Sequence, residues 1–154
     1  RPPDRGEGVF ARAPFEPGDF ILPVRGRVTE QQTQHSYQLG YTRHLVPDPP
    51  AGFLNHACVP NAGLRDAGEG GYDVIARIAI PVGAEITIDY AMTEFTHYPR
   101  LDPADEFDLG CRCGSPRCRG RLGYWSELPQ EVRLEYRRAG MVARYLLETK
   151  TTAR

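Results

Sequence analysis

The sequence contains almost no lysine: Lys150 is its single lysine, and the other basic residues among the 19 are arginines. It also has no apolar run of about 18 residues, so we expect no membrane-spanning helix. No charged-then-apolar leader opens the chain, which predicts an intracellular protein, cytoplasmic in a microbe and nuclear in a eukaryote. The formal net charge of −1 predicts no direct binding to nucleic acid or to a membrane surface.

Several common catalytic signatures are missing as well. The sequence has no G-x-S-x-G, P-loop, H-E-x-x-H or βαβ pattern, and no obvious pair of carboxylates for acid–base catalysis. A chain of 154 residues with 40% hydrophobic and 25% charged residues is nevertheless long and apolar enough for a globular core. We therefore expect a folded protein whose chemistry does not come from these motifs.

Cysteine is scarce, and its spacing is informative. Cys111, Cys113 and Cys118 form a C-x-C-x4-C group in a turn-rich loop, and Cys58 is the one cysteine left. In a reducing compartment such a group binds metal more often than it forms disulfides. Four thiolates would close a tetrahedral zinc site with no open position for water, so the zinc would be structural.

Other interpretations of the cysteines stay open from the residues alone. The four could form two disulfides, or they could be unliganded residues of the core. His56 and His97 are weaker candidates for the fourth zinc ligand.

Hydrophobic alternation predicts a mainly β protein of short strands separated by Gly/Pro turns. The segment 91–110 is polar and irregular. Residues 126–148 carry a helical period that is broken at Gly140. In the last predicted strand, Ile86, Ile88 and Tyr90 share one face by parity. The predicted strands are 20–22, 36–46, 72–80 and 85–90.

Four segments together resemble the SET-domain protein lysine methyltransferases. They are "GEGVFA" (6–11), "FLNHACVPN" (53–61), "GAEITIDY" (83–90) and "CRCGSPRCRG" (111–120). The first resembles the family's G-x-G cofactor segment, the second its N-H-x-C-x-P-N motif, the third its G-E-E-L-x-x-D-Y motif and the fourth its post-SET zinc motif. The resemblance covers residues 5–122 and implies a compact member without a pre-SET module.

The resemblance implies a mainly β fold, the SET or β-clip fold, in which the N-H-x-C-x-P-N segment makes a knot-like crossing. It divides the chain into a SET domain (1–110), a post-SET zinc loop (111–123) and a helical extension (124–154). It also implies S-adenosylmethionine as cofactor, structural Zn²⁺, and a protein or peptide substrate that contains lysine.

The resemblance also assigns roles to individual residues. Tyr90 would be catalytic, holding the reacting amine and methyl group with its hydroxyl oxygen. The cofactor would contact Glu7, Gly8, Val9, Asn55, His56 and Tyr90. The zinc ligands would be Cys58, Cys111, Cys113 and Cys118. The channel for the substrate lysine would be lined by Tyr37, Ile88, Leu122, Tyr124 and Trp125.

Two functions follow from this resemblance. The first is methyl transfer from S-adenosylmethionine to the side-chain amine of lysine. The alternative is an inactive, zinc-stabilised interaction module with the same fold, because Val24 stands where relatives have a channel tyrosine and Gly52 where they often have arginine. Ile88 is shorter than the phenylalanine or tyrosine common there, which predicts an enzyme that adds more than one methyl group.

Overall fold

The computed structural model describes residues 6–33, 35–68, 70–95 and 110–148. Short β-strands dominate these ranges, with brief 3₁₀ turns between them and two α-helices near the end of the described chain. The strands are β1 (Val9–Phe10), β2 (Phe20–Val24), β3 (Gly26–Thr29), β4 (Tyr37–Gln38), β5 (His44–Pro47), β6 (Asn55–His56), β7 (Ala62–Asp66), β8 (Tyr72–Ala76) and β9 (Glu85–Ile88). The 3₁₀ turns are Ala51–Phe53, Tyr90–Met92 and Trp125–Glu127, and the helices are α1 (Gln130–Ala139) and α2 (Arg144–Leu147).

One three-stranded sheet has the order β2-β8-β7 and supplies much of the hydrophobic core. The central strand β8 is antiparallel to both neighbours, with Val74 opposite Leu22 on β2 and Leu64 on β7. Val74 and Leu64 are fully buried. Branched side chains suit such a doubly paired strand, because they pack well on a pleated surface.

A second sheet, in the order β3-β5-β4, carries one of the predicted channel residues. Tyr37 on β4 lies opposite Leu45 on β5, and both side chains are buried. The two strands are joined by a tight turn in which the Leu39 N–H donates to the carbonyl of Arg43 at 2.8 Å. This hairpin holds Tyr37 on an edge strand of the sheet, with its side chain turned into the core.

The third sheet, β1-β9-β6, brings three of the four recognised segments together. Strand β9 is antiparallel to β1 and parallel to β6, with Asn55 opposite Thr87 and His56 opposite Ile88. Asn61 extends the contact, because its amide donates to the Glu85 carbonyl at 2.8 Å and accepts from the Thr87 N–H at 2.9 Å. Both ends of the segment 55–61 are therefore fastened to β9.

The C-terminal helices pack on the body of the protein. Helix α1 ends where Gly140 adopts a left-handed conformation with φ 70°, and the Gly140 N–H bonds back to Arg137. Glycine takes this conformation with little strain, which explains the stop. Within the described ranges, none of the helices has the length and apolar character needed to cross a membrane.

The mainly β class is confirmed, and so is the break of the helical tail at Gly140. Three strand predictions were too long, those over 36–46, 72–80 and 85–90. Segment 36–46 forms two strands joined by a turn, and the strand predicted over 72–80 ends at Ala76. The helical period begins later than predicted, since residues 125–127 form a 3₁₀ turn and α1 starts at Gln130.

The correction that matters most concerns the strand predicted over 85–90. It ends at Ile88, and Tyr90 begins a 3₁₀ turn instead of continuing the strand. The parity argument that put Ile88 and Tyr90 on one face is therefore wrong, because a strand's alternation applies only while the extended backbone lasts. Most of the segment predicted to be irregular lies outside the described residues, as does His97.

Candidate active site

Gly8 lies where strand β1 approaches β6 and β9. A Cβ atom at this position would lie 2.3 Å from Glu85 Oε1 and 3.1 Å from Asn55 Nδ2. Real Cβ atoms do not come this close, so a side chain here would have to displace the Glu85 carboxylate, and glycine leaves that space open. The G-x-G segment is therefore more than a turn, since its second glycine lets three chain segments meet.

Asn55 joins these three segments through its side-chain amide. Its Nδ2 donates to the Glu7 carbonyl at 2.9 Å and to Glu85 Oε1 at 2.6 Å. These two bonds use both amide hydrogens. Oδ1 has no donor among the described residues, which leaves it as the group that Asn55 can offer to a ligand.

His56 is buried and connects two other groups of the site. Its Nδ1 accepts the backbone N–H of Tyr90 at 3.1 Å, so this nitrogen carries no hydrogen. Nε2 lies 3.4 Å from Cys58 Sγ and is then the protonated nitrogen, which donates to the sulfur. The neutral ring thus links the backbone of Tyr90 to a cysteine of the predicted zinc site.

Tyr90 is half-buried and its hydroxyl has a fixed partner. The hydroxyl donates to the Leu54 carbonyl at 2.7 Å, and the ring lies 5.2 Å from the ring of His56. Asp89 caps the 3₁₀ turn by accepting the Ala91 N–H at 3.0 Å. The bond to Leu54 uses the hydroxyl hydrogen and fixes the position of the Tyr90 oxygen, which is an acceptor by its chemistry.

Tyr37 lies near Tyr90 and contacts the same short stretch of backbone. Its hydroxyl donates to the Ala51 carbonyl at 2.7 Å. Burial raises the pKa of Tyr37, and the nearby Tyr90 and Glu94 raise it further. The segment 51–54 therefore accepts the Tyr37 hydroxyl at Ala51 and the Tyr90 hydroxyl at Leu54, and the raised pKa of Tyr37 keeps its hydroxyl protonated at neutral pH.

The four cysteines meet at one point, although 53 residues separate Cys58 from Cys111. All four sulfurs lie within 4.8 Å of one another, and Cys58 Sγ is 3.7 Å from Cys111 Sγ. A zinc ion with Zn–S bonds of about 2.3 Å needs tetrahedral edges of about 3.8 Å. The residues fit one zinc ion, and all four cysteines are free of disulfides.

Hydrogen bonds around the sulfurs also suit thiolates. The Arg119 N–H donates to Cys58 Sγ at 3.3 Å, and the Gly120 N–H points at Cys118 Sγ at 3.4 Å. Burial raises the pKa of Cys58 to about 11, so a bound cation is needed to keep this sulfur ionised at neutral pH.

Arg119 connects the cysteine loop to the turn that carries Tyr90. Its guanidinium reaches both carboxylate oxygens of Asp89, at 2.9 and 2.8 Å, and also the Cys58 carbonyl at 3.2 Å. Asp89 is fully buried. Sequence reasoning did not assign a role to either residue, although Arg119 directly follows Cys118 and Asp89 directly precedes Tyr90.

For the three predicted channel residues that follow Cys118, the structure shows contacts with Glu94 and Arg121. Trp125 is buried, and its backbone N–H donates to the Glu94 carbonyl at 3.0 Å. Leu122 and Tyr124 are half-buried, and the ring of Tyr124 lies 5.8 Å from the Arg121 guanidinium carbon. Ile88 is fully buried at the end of β9.

Comparison with known proteins identifies the family of this chain. The SET domain family model matches residues 6–91, more than half of the 154-residue chain. The chain is 29% identical over 140 residues to histone-lysine N-methyltransferase ash1 of Drosophila melanogaster, covering 78% of this chain and 6% of that protein. It is 26% identical over 146 residues to histone-lysine N-methyltransferase ASHH3 of Arabidopsis thaliana, covering 81% of this chain and 38% of that protein.

A solved structure shares the fold. KRYPTONITE, in complex with mCHH DNA, an H3(1-15) peptide and SAH, superposes with a TM-score of 0.62 at 21% identity, covering 80% of this chain and 28% of that chain. The chain thus spans well under half the length of these relatives. The matched residues contain the Gly8, Asn55, His56 and Tyr90 contacts described above, and the chain belongs to the SET domain family.

Proposed function

We propose that this chain transfers a methyl group from S-adenosylmethionine to the side-chain amine of lysine in a protein substrate. The observation that carries the proposal is the fixed position of the Tyr90 hydroxyl. It donates to the Leu54 carbonyl, directly beside Asn55 and two residues from His56. The names of the relatives, which are histone-lysine N-methyltransferases, support the same activity.

The cofactor would be held by the junction of β1, β6 and β9. S-adenosylmethionine, when bound, supplies a methyl group on a positively charged sulfur. Asn55 Oδ1 suits its amino group, because a carbonyl oxygen accepts hydrogen bonds from an ammonium. The backbone of Glu7, Gly8 and Val9 can approach closely since Gly8 has no side chain, and His56 completes the set with its backbone.

The substrate lysine must arrive as a neutral amine, although the free side chain has a pKa of about 10.4. A channel that excludes water lowers this pKa, because burial disfavours the charged form. The Tyr90 oxygen then accepts one N–H of the amine and orients its lone pair. Alignment of this kind removes much of the entropic barrier. Tyr37, Ile88, Leu122, Tyr124 and Trp125 are the proposed walls of the channel.

Zinc would have a structural role in this proposal. Bound by Cys58, Cys111, Cys113 and Cys118, it would fasten the post-SET loop to the segment that contains His56. Four thiolates leave no position for a reacting group. The proposed walls from Leu122 to Trp125 would then follow a loop that is held against the segment that contains His56.

Incubation with labelled S-adenosylmethionine and a panel of histones and other lysine-containing proteins tests the proposal. Wild type should transfer label, Tyr90→Phe should transfer none, and Tyr41→Phe is the matched control. Tyr41→Phe removes a hydroxyl that donates to the Tyr145 carbonyl at 3.5 Å and keeps the ring that packs edge-on against Phe95 and Tyr145. Calorimetry with S-adenosylhomocysteine should show binding to all three proteins.

The inactive interaction module is the outcome that would replace this proposal. It would be indicated by a wild type that binds S-adenosylhomocysteine and carries zinc but labels no substrate. Val24 gives this outcome its structural basis, because it is fully buried on β2 and cannot supply the hydroxyl of a tyrosine. The relatives named above act in eukaryotes, so nuclear histones are the first substrates to try.

A further inference from the structure

The described chain continues beyond the matched residues 6–91 into α1 and α2. This C-terminal segment, residues 130–148, packs in the core next to the 3₁₀ turn that carries Tyr90. Five of its side chains are buried: Tyr136, Met141, Val142, Ala143 and Tyr145. They pack in the same hydrophobic core as β8 and the 3₁₀ turn Tyr90–Met92. The segment is therefore an integral part of the fold and not an appendage.

We infer that the C-terminal helices are a positioning device for Tyr90, acting through hydrogen bonds to the residues on both sides of its 3₁₀ turn. Tyr136 acts on the residue before the turn, and residues 143–145 act on the residues that end it. The inference rests on the proposed function and adds positioning residues to it.

Before the turn, the contact is made by Tyr136. Its hydroxyl donates to Asp89 Oδ2 at 2.8 Å, although the two residues are 47 positions apart. Burial and the nearby Asp89 raise the pKa of Tyr136, so the hydroxyl keeps its hydrogen. Asp89 also accepts from Arg119 and from the Ala91 N–H, and its Oδ1 lies 3.6 Å from His56 Nδ1.

After the turn, two contacts come from the segment around α2. The Ala143 N–H donates to the Met92 carbonyl at 2.8 Å. The Tyr145 hydroxyl donates to the Thr93 carbonyl. The C-terminal segment thus holds the chain at 89, 92 and 93, with Tyr90 between these points.

The turn's own backbone bonds are short in range. They run from the Met92 N–H to the Asp89 carbonyl at 3.0 Å and from the Thr93 N–H to the Tyr90 carbonyl at 3.2 Å. A 3₁₀ turn this short has weak hydrogen-bond geometry, so outside contacts decide its position. A shift of about 1 Å in a reacting group can reduce a rate about a hundredfold.

Met141 fixes where the C-terminal segment lies. It packs against Gly63 on β7 so closely that a Cβ atom there would lie 2.3 Å from its Sδ and 2.8 Å from its Cγ. Alanine at 63 would therefore force Met141 to move. Gly40 gives a matched control, because a Cβ atom added there would have Arg43 Cβ as its nearest neighbour, at 3.8 Å.

The first test compares Tyr136→Phe with Tyr41→Phe, each of which removes one hydroxyl and keeps the ring. Tyr136→Phe should lower kcat about tenfold or more, with S-adenosylhomocysteine affinity and zinc content within about twofold of wild type. Tyr41→Phe loses a long 3.5 Å bond to the Tyr145 carbonyl but keeps the Tyr145 hydroxyl bond to Thr93 and the Ala143 bond to Met92, so kcat should change by less than about twofold. Equal kcat in the two variants, or a fall in kcat that only follows the folded fraction, would overturn the inference.

The second test does not depend on enzymatic activity. Amide hydrogen exchange should be faster at residues 90–93 in Tyr136→Phe and in Gly63→Ala than in wild type, Tyr41→Phe or Gly40→Ala. Unchanged exchange at these residues in both variants would refute the inference even if the chain proves inactive. A wild type without activity but with the expected exchange pattern would refute the proposed function alone.

Discussion

Glu94 is a buried carboxyl group whose ionisation should control stability near neutral pH. Its Oε2 accepts the Gln38 N–H at 3.1 Å and the Thr93 hydroxyl at 2.6 Å. Burial raises the pKa of Glu94 from its ordinary 4.5 to about 7, and these hydrogen bonds only partly oppose the rise. The carboxyl also faces Tyr37 and Tyr145.

The direction in which stability changes with pH follows from which state binds the proton. Between pH 4.5 and about pH 7 the folded protein keeps the Glu94 proton and the unfolded chain has lost it. Stability therefore falls as pH rises through this window, by about 3 kcal/mol in full at about 1.4 kcal/mol per unit of pKa shift. Below the window both states are protonated, and above it both are ionised, so the contribution stays constant.

The matched variant is Glu94→Gln, which keeps the size of the side chain and removes its ionisation. Urea unfolding at about pH 5.5 and about pH 8, with the same zinc concentration, covers most of the window. The stability of wild type relative to Glu94→Gln should fall by about 2 kcal/mol between these two pH values. This is a large part of a typical total of about 5–15 kcal/mol.

Glu131→Gln is the control, because Glu131 is exposed in the first turn of α1. Its stability relative to wild type should not change with pH by more than about 0.5 kcal/mol. A constant difference between wild type and Glu94→Gln over the same range would refute the argument.

Three further results are expected. Wild type should carry one zinc ion per chain. Cys58→Ser and Cys113→Ser should each lower this zinc content and destabilise the cysteine loop to a similar degree, because each removes one of four ligands. Metal analysis of chelator-free protein that finds no zinc in wild type would contradict this. The transfer rate should rise from about pH 7 to about pH 9, because only the neutral amine reacts and no dedicated base is evident; a flat or falling rate in folded enzyme would argue against it. Strand parity no longer places Ile88 beside Tyr90, but the family resemblance still assigns it to the channel. Since Ile88 has no hydroxyl and is smaller than tyrosine, wild type should then add more than one methyl group. Mass spectrometry with excess cofactor that finds only one methyl would show the steric argument to be wrong.

The sequence alone led to the main elements of the site because its signals are local. The C-x-C-x4-C spacing brings three sulfurs together in one loop, and the count of four pointed to Cys58 as the partner, which the sulfur distances fit. Gly140 interrupts the helical period where the structure ends α1. Short motifs around Asn55 and Tyr90 pointed to the family, which the match over residues 6–91 confirms.

Strand ends were predicted less well, and for a physical reason. The pattern of Ile86, Ile88 and Tyr90 continues the alternation, but Asp89 accepts the Ala91 N–H and turns the chain. A side-chain cap of this kind competes with strand geometry and leaves the hydrophobic period unchanged. Periodicity therefore could not show that Tyr90 leaves the strand.

Tertiary structure alone decided the contacts that hold Tyr90. Tyr136 reaches Asp89 across 47 residues, and Arg119 reaches it across 30. In the local sequence, Tyr136 is an ordinary apolar position of a helix and Arg119 is an ordinary arginine in a loop. A buried carboxylate gains its partners only when folding brings distant donors to it, since no local pattern records which donors will arrive. The sequence therefore determined the family and the residues of its motifs, and packing determined how those residues are held in place.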